Sequence, residues 1–366
     1  MNNKHFETLD GFRGVAAIAV VLYHLGMWAN RPWLFAHGYL AVDFFFCLSG
    51  FIIAYIYGDR FDAGMKFKDF FVQRIIRLYP VIFIGMTMGL VFNLLRVVTD
   101  ESLGFGFLDV SLAYAMSIFL VPFFGIKSPV GESIYPLNSP FWSIFFEIVI
   151  NIFWALGLRR IKPGILFGVS AMVSIIAFSQ LEYMNIGGVW DQLPWGLLRV
   201  TVGFSAGLWV HQIYKAGFKV PSVGAMPLAL ILAAIFSLPH WKSIWFDLAC
   251  ILVVFPGITL LGIVSVSDGW FGRCIDWAGR ISYPIYGVHR PIALGLITII
   301  TKFYRGPFSS EVQIVAGTVA SLVGAYILVR WIDEPVRSWL RETYKNVSKR
   351  RTKAIGPSKL KDTAAP

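Results

Sequence analysis

The chain has 366 residues, of which 57% are hydrophobic and 14% charged, with a formal net charge of +11. Soluble domains carry about 25% charged residues, so the composition excludes an ordinary soluble domain and indicates a membrane setting. The positive charge does not mark a nucleic-acid binder, because the 13 Trp and 32 Phe fall in apolar runs; basic loops against an anionic cytoplasmic leaflet account for it.

The first apolar run, 12–29, is bracketed by Arg13 and His24. Eleven helical positions put these side chains about 17 Å apart along the axis, with Arg13 at one water interface and His24 beyond the midplane. An ionisable group at that depth is costly and is a functional hypothesis by default. A cleaved signal peptide is the competing reading of residues 1–30. Arg13 abuts the apolar run and no small-residue cleavage site follows, so the helix is read as retained.

The second run, 38–58, sets Asp43 among aromatic residues. Entering from outside, Asp43 lies about 8 Å below the interface, an outer-half depth similar to that of His24. A carboxylate there either orients the imidazole, as in catalytic triads, or makes a structural contact between helices. Residues 66–80 form an amphipathic lead-in to the third run, 78–98, and Arg74 and Arg77 share one face of it. Two guanidinium forks on one face suit a phosphate clamp. A basic anchor snorkelling to lipid headgroups fits the spacing equally well.

The fifth run, 139–158, brings Glu147 to about 12 Å depth, near the midplane, where a function or a buried ion pair is favoured over a plain helix contact. The tenth run, 281–301, opens on Ile281-Ser282-Tyr283-Pro284-Ile285-Tyr286-Gly287-Val288-His289-Arg290. His289 and Arg290 are placed nearer the inner half, where they receive anionic ligand groups or, preferably, pair with Asp333 or Glu334. His5, His37, His211 and His240 fall in termini or near span ends and read as interface histidines. Cys47, Cys250 and Cys274 have neither metal-like nor redox-like spacing, so no zinc, other metal or structural disulfide is expected. Phosphate loops, nucleophile elbows and histidine clusters are absent from the pattern. Serine catalysis through Ser49 or Ser143 therefore lacks a signal.

The remaining runs are 108–124, 164–181, 195–213, 225–240, 244–265 and 312–333, eleven in all. Lysine and arginine in the loops decide how many span. The basic segment 59–77 and the tail with its many Lys and Arg both belong inside, which requires an even count. Arg159, Arg160 and Lys162 fall inside only if 108–124 does not cross. The expectation is an all-α polytopic integral membrane protein with about ten spans, and 108–124 re-entrant or lying along the outer face. One membrane domain occupies 1–340, followed by a basic, disordered cytoplasmic tail at 341–366, with both termini cytoplasmic.

The residues resemble the acyltransferase-3 family, polytopic bacterial enzymes that O-acylate sugars of O-antigens, exopolysaccharides, peptidoglycan, nodulation factors and macrolides. The resemblance covers nearly all of 5–340. It rests on Arg13-x10-His24, the Val42-Asp43-x-Phe-Phe-x-x-Ser49-Gly50-Phe51 run, Arg74-x-x-Arg77, Trp142-Ser143-x-x-x-Glu147, Ile281-Ser282-Tyr283-x-x-Tyr286-x-x-His289 and Glu334-Pro335, in that order. Fused members carry a second SGNH-type domain, which this chain lacks. The usual Trp-Ser-Leu-x-x-Glu reads Trp-Ser-Ile-Phe-Phe-Glu here.

The resemblance implies a catalytic His24 and donor-handling arginines at Arg13, Arg74 and Arg77. Asp43 and Glu147 join the catalytic set, with Ser143, Ser282, Tyr286, His289 and Arg290 as accessory candidates. The expected chemistry has acyl-CoA, acetyl-CoA first, entering from the cytoplasm as co-substrate with no bound cofactor. His24 deprotonates a hydroxyl of a glycan or glycolipid, and an acyl-histidine step is the variant. The setting implied is the bacterial inner membrane, with lipids as surroundings. A glycolipid transporter or flippase is the rival class, disfavoured because no repeat halves are visible. A non-catalytic scaffold would leave the buried His, Asp and Glu unexplained.

Overall fold

In a bilayer core every backbone polar group needs an internal partner, so a chain this apolar folds as helices. The computed structural model describes residues 5–100, 103–124, 132–239, 243–266, 269–303 and 309–359, leaving His240 outside them. Each of the eleven apolar runs is helical. The order is α1 (Glu7–Trp28), a short 3-10 turn Gly38–Leu40 leading into α2 (Ala41–Asp62), α3 (Phe67–Thr99), α4 (Phe107–Ile118), α5 (Phe141–Leu156) and α6 (Pro163–Phe178). Then follow α7 (Leu193–Lys215), α8 (Ala225–Ser237) and α9 (Ile244–Ala249), which continues through a π turn into α10 (Phe255–Val264). Last come α11 (Gly269–Phe303) and α12 (Ser310–Leu328), the latter joined through a second π turn to α13 (Glu334–Lys359). Starts follow local chemistry: Pro163 opens α6, and the hydroxyls of Ser243 and Ser309 accept the first free N–H groups of α9 and α12.

Six segments are long and apolar enough to cross a membrane: Glu7–Trp28, Gly38–Asp62, Phe67–Thr99, Trp190–Lys215, Ile244–Val264 and Ser310–Val347. The 35 residues of α11 are more than enough to cross but carry Arg273, Asp276 and Arg280 along the first turns. With 12 residues, α4 reaches only about 18 Å, short of the roughly 30 Å hydrocarbon core. It is the segment that the loop charges exclude from crossing. After it Leu120 adopts a left-handed φ of 60°, and the backbone finds partners in neighbouring loops rather than in a helix. Phe123 N–H donates to Ile134 O (2.8 Å), and Trp190 Nε1 donates to Phe123 O (2.6 Å).

The bundle is held by close helix pairs, with α1 along α11, α2 along α7 and α11 along α12. Lipid offers no hydrophobic drive between helices, so small residues at contacts matter. A Cβ on Gly50 would lie 2.0 Å from Phe204 O, and one on Gly207 1.9 Å from Cys47 O, so α2 and α7 meet backbone to backbone. Pro291 inside α11 has no N–H for the carbonyl of Gly287, which lies four residues earlier. The buried Asn138 amide donates to that carbonyl at 2.7 Å, which lets α11 continue through the proline.

One expectation is revised. Residues 341–359, read from sequence as the disordered part of the tail, continue α13. Tyr344 donates to Asp69 of α3, which ties the start of this segment to the bundle.

Topology has a direct test. A cysteine at Ser133, between α4 and α5, introduced in a cysteine-free background, is expected to react with an impermeant reagent added from outside. Labelling from the cytoplasm alone would overturn the ten-span arrangement. Ser128, a second labelling site suggested by the sequence, lies outside the described residues.

Candidate active site

Two connected cavities run between α1, α2, α3, α5 and α11. The wider, about 790 Å3, is lined by the cations Arg13, Arg60, Arg74, Arg77, Arg341 and Lys345, and by one carboxylate, Asp10. Asp10 is already engaged by Arg13 (2.8 Å) and by His5 (2.9 Å). This vestibule is therefore a concentrated positive field. Arg13, Ile52, Arg74 and Arg77 are shared with a narrow inner cavity of about 100 Å3, whose walls include Phe45, Ser49, Ser143, Glu147, Ser282 and Tyr286.

Arg13 is fixed by α11: its Nε donates to Ser282 Oγ (2.7 Å) and its Nη2 to Gly279 O (3.1 Å). Arg74 donates to Glu147 Oε1 at 2.8 Å, and Ser49 Oγ donates to the same oxygen at 2.9 Å. Glu147, for which a function or a buried ion pair was expected, neutralises one arginine of the expected clamp. Arg77 lies one helical turn from Arg74 and lines both cavities. Ser143 and Tyr286 meet through their hydroxyls and share the carbonyl of Pro140 as acceptor, each at 3.0 Å.

Tyr286 lines the narrow cavity and its ring lies 6.1 Å from that of His289; His24 is not in the lining. His24 is half-buried at the end of α1 away from the vestibule, stacked on Trp28 with centroids 5.6 Å apart. Its Nδ1 lies 3.0 Å from Nε2 of the fully buried His289. His289 Nδ1 in turn faces the carbonyls of Tyr286 (2.9 Å) and Ile285 (3.1 Å). Next to His24, Tyr23 accepts from the exposed Asn185 at 2.9 Å.

Two sequence expectations are corrected here. Asp43 does not hold His24. Its carboxylate is fully buried and needs a counter-charge, which Arg199 of α7 supplies through two bonds of 2.8 and 2.7 Å. Arg199 also donates to Tyr39 O and Ile186 O, both at 2.9 Å, and lies over the Trp142 ring. His289 and Arg290 do not sit at the inner end with Asp333 or Glu334, because α11 runs alongside α1 and carries them to the level of His24. Asp333 pairs with Arg337 and Glu334 with Arg280. Glu147 sits with Arg74 and Ser49, as described above.

The vestibule, the inner cavity and the histidine pair gather the residues that carry the resemblance. An acyltransferase domain of the acyltransferase-3 type matches residues 6–330 of the chain. The chain belongs to the acyltransferase-3 family. It is 22% identical over 380 residues to the "Putative peptidoglycan O-acetyltransferase YrhL" of Bacillus subtilis (strain 168), covering 92% of this chain and 56% of that protein. It is 24% identical over 371 residues to the "Putative O-acetyltransferase SACOL0978" of Staphylococcus aureus (strain COL), covering 91% of this chain and 58% of that protein. The chain thus spans a little over half the length of these two relatives. "Protein 2 in picA locus" of Rhizobium radiobacter is 29% identical over 195 residues, 48% of this chain and 96% of that protein. No solved structure matches. Family and helices together make this a multi-pass bacterial membrane acyltransferase.

Arg199, Tyr39, Asp247 and Asn138 were missed in the sequence. Tyr39 donates to both carboxylate oxygens of Asp247, each at 3.0 Å, next to the Arg199–Asp43 pair. A signal for two of them existed: Arg199 and Asp247 are charges inside apolar runs, which by default mark a pair or a function.

Proposed function

We propose that the protein transfers an acyl group, acetyl first, from acyl-CoA to a hydroxyl of a surface or secreted glycan or glycolipid, with His24 as general base. The observation that carries this reading is the basic vestibule that shares Arg13, Arg74 and Arg77 with a narrow cavity, one of whose lining residues, Tyr286, is a ring neighbour of His289 at 6.1 Å. Phosphates of CoA cannot enter hydrocarbon and are held among the vestibule guanidiniums. The pantetheine arm extends along the narrow cavity toward Tyr286, and Arg13 and His24 mark a path of about 17 Å.

His24, half-exposed at the opposite end, receives the acceptor from the outer face and takes the proton of its hydroxyl. The alkoxide oxygen attacks the thioester carbonyl, the C–S bond breaks, and the departing sulfur collects the proton from His24. Ser143 and Tyr286 supply the hydroxyls nearest this path, and one of them would turn from Pro140 O to donate to the developing oxyanion. The inner membrane of a bacterium, with the vestibule on the cytoplasmic side where CoA is made, is the setting this reading requires.

Purified protein should release free thiol from acetyl-CoA when membranes holding the native acceptor are supplied. No thiol release would favour a glycolipid transporter. Mass spectrometry of surface glycans from cells with and without the gene should find one component heavier by one acyl group.

Arg77 gives the test of the vestibule. Each charge-assisted contact to phosphate contributes about 1.5–3 kcal/mol, so Arg77→Ala is expected to weaken CoA binding about 10- to 150-fold by calorimetry in detergent. Arg77→Lys should recover part of the affinity, since it restores charge but not the fork. Unchanged CoA affinity in Arg77→Ala would make this residue a lipid anchor.

A further inference from the structure

The two histidines differ in what surrounds their ring nitrogens, and that difference fixes where the protons are. His289 Nδ1 faces only the carbonyls of Tyr286 and Ile285, at 2.9 and 3.1 Å. Carbonyl oxygens accept and never donate, so His289 Nδ1 carries a proton. A second proton on this ring would create a cation at zero exposure, and the charged side chain that acts on it is another cation, Arg290. Among the described residues no carboxylate is paired with it to repay that cost, so the ring is neutral and its Nε2 is a lone pair. That lone pair lies 3.0 Å from His24 Nδ1. Two lone pairs do not face each other at this distance, so His24 Nδ1 is the donor and His24 Nε2 is bare.

We propose that His289 is the positioning residue for His24, holding it in the tautomer whose Nε2 lone pair takes the proton of the acceptor hydroxyl. The inference rests on the acyl-transfer reading for its catalytic consequence, while the tautomer follows from the hydrogen bonds alone. His289 occupies the place of the carboxylate in a catalytic triad, which fixes the tautomer and orients the imidazole. When His24 gains the acceptor proton at Nε2, its Nδ1–H bond to His289 strengthens. The charge is then stabilised without a buried carboxylate. On transfer of the Nε2 proton to the CoA sulfur the pair returns to its starting state, and His289 neither gains nor loses a proton.

The helices are built for this contact. α1 and α11 are clasped at two levels, by Arg13 on Ser282 (2.7 Å) near the vestibule and by His24 on His289 (3.0 Å) farther on. The rings lie nearly parallel at 16°, with centroids 5.1 Å apart. The backbone beneath His289 is held at Gly287 by the Asn138 amide, so the side chain rests on a fixed platform.

The test uses full-length protein labelled with 15N-histidine in bilayers, with His24 signals assigned by comparison with His24→Ala. The wild type is expected to show His24 protonated at Nδ1 and bare at Nε2. His289→Gln keeps an acceptor oxygen in reach and should retain that signature, whereas His289→Leu should lose it. Acetyl transfer by His289→Leu should fall about 100-fold or more in kcat with the KM for acetyl-CoA unchanged, and His289→Gln should recover part of the rate. A His24 spectrum that is unaltered in His289→Leu, or protonated at Nε2 in the wild type, would overturn the proposal. Equal losses in Gln and Leu with a raised KM would overturn it too, since they point to packing alone. Acyl transfer that survives in His24→Ala, with the expected spectra intact, would remove the catalytic role of the pair and leave its tautomer in place.

Discussion

His24→Ala is expected to reduce acyl transfer by about 100- to 10,000-fold, the range general-base catalysis contributes. The measurement is thiol release from acetyl-CoA per unit of folded protein, with folding monitored by size exclusion in detergent. The substitution also leaves Nε2 of His289 without its donor, a cost of about 1–3 kcal/mol for a buried polar group. Expression should therefore drop modestly, and normalising to folded protein separates that effect from chemistry. CoA affinity should stay near wild type, because the vestibule cations stand about 17 Å away along α1. Specific activity near wild type would remove His24 from the reaction. If acetyl label instead stays attached to the wild-type protein at neutral pH, is lost in acid and to hydroxylamine, and is absent from His24→Ala, transfer passes through an acyl-histidine.

The architecture was readable because its cause is local. Apolar runs near 20 residues long, broken by loops with basic residues, leave helices as the sole option, and the fourth run forms a helix of only 12 residues. The single-face spacing of Arg74 and Arg77 and the depth of His24 were readable for the same reason, since helical rise and period are fixed. What faces what across helices was not readable. Asp43 and His24 have similar depths, yet depth carries no azimuth, and Asp43 looks toward α7 rather than α1. Arg199, its partner, lies 156 positions away. His289 was placed too deep because the direction of α11 against α1 comes from packing, with the Arg13–Ser282 clasp setting the register. Glu147 illustrates the same limit: its depth indicated a function or an ion pair, and only packing shows that the partner is Arg74.

Breaking the Arg199–Asp43 pair is expected to have the largest effect on stability in the chain. Both side chains are essentially unexposed, at 1% and 0%, and Arg199 makes four hydrogen bonds there, two of them to the carbonyls of Tyr39 and Ile186. Removing one member leaves an uncompensated buried charge, which costs about 3–5 kcal/mol. Arg199→Met alone should therefore yield little folded protein, and Asp43→Asn alone should melt well below wild type. Replacing both charges relieves the imbalance, so Asp43→Asn combined with Arg199→Met should recover much of the loss of Arg199→Met, as buried pairs replaced together often do. The combined variant also decides the role of Asp43. If its carboxylate only locks α2 to α7, the folded fraction keeps near wild-type acyl transfer per molecule. If the carboxylate serves His24 in some state of the cycle, the folded double variant loses activity while its melting temperature stays high. Because Arg199 binds both carboxylate oxygens, at 2.8 and 2.7 Å, the first outcome is the one expected.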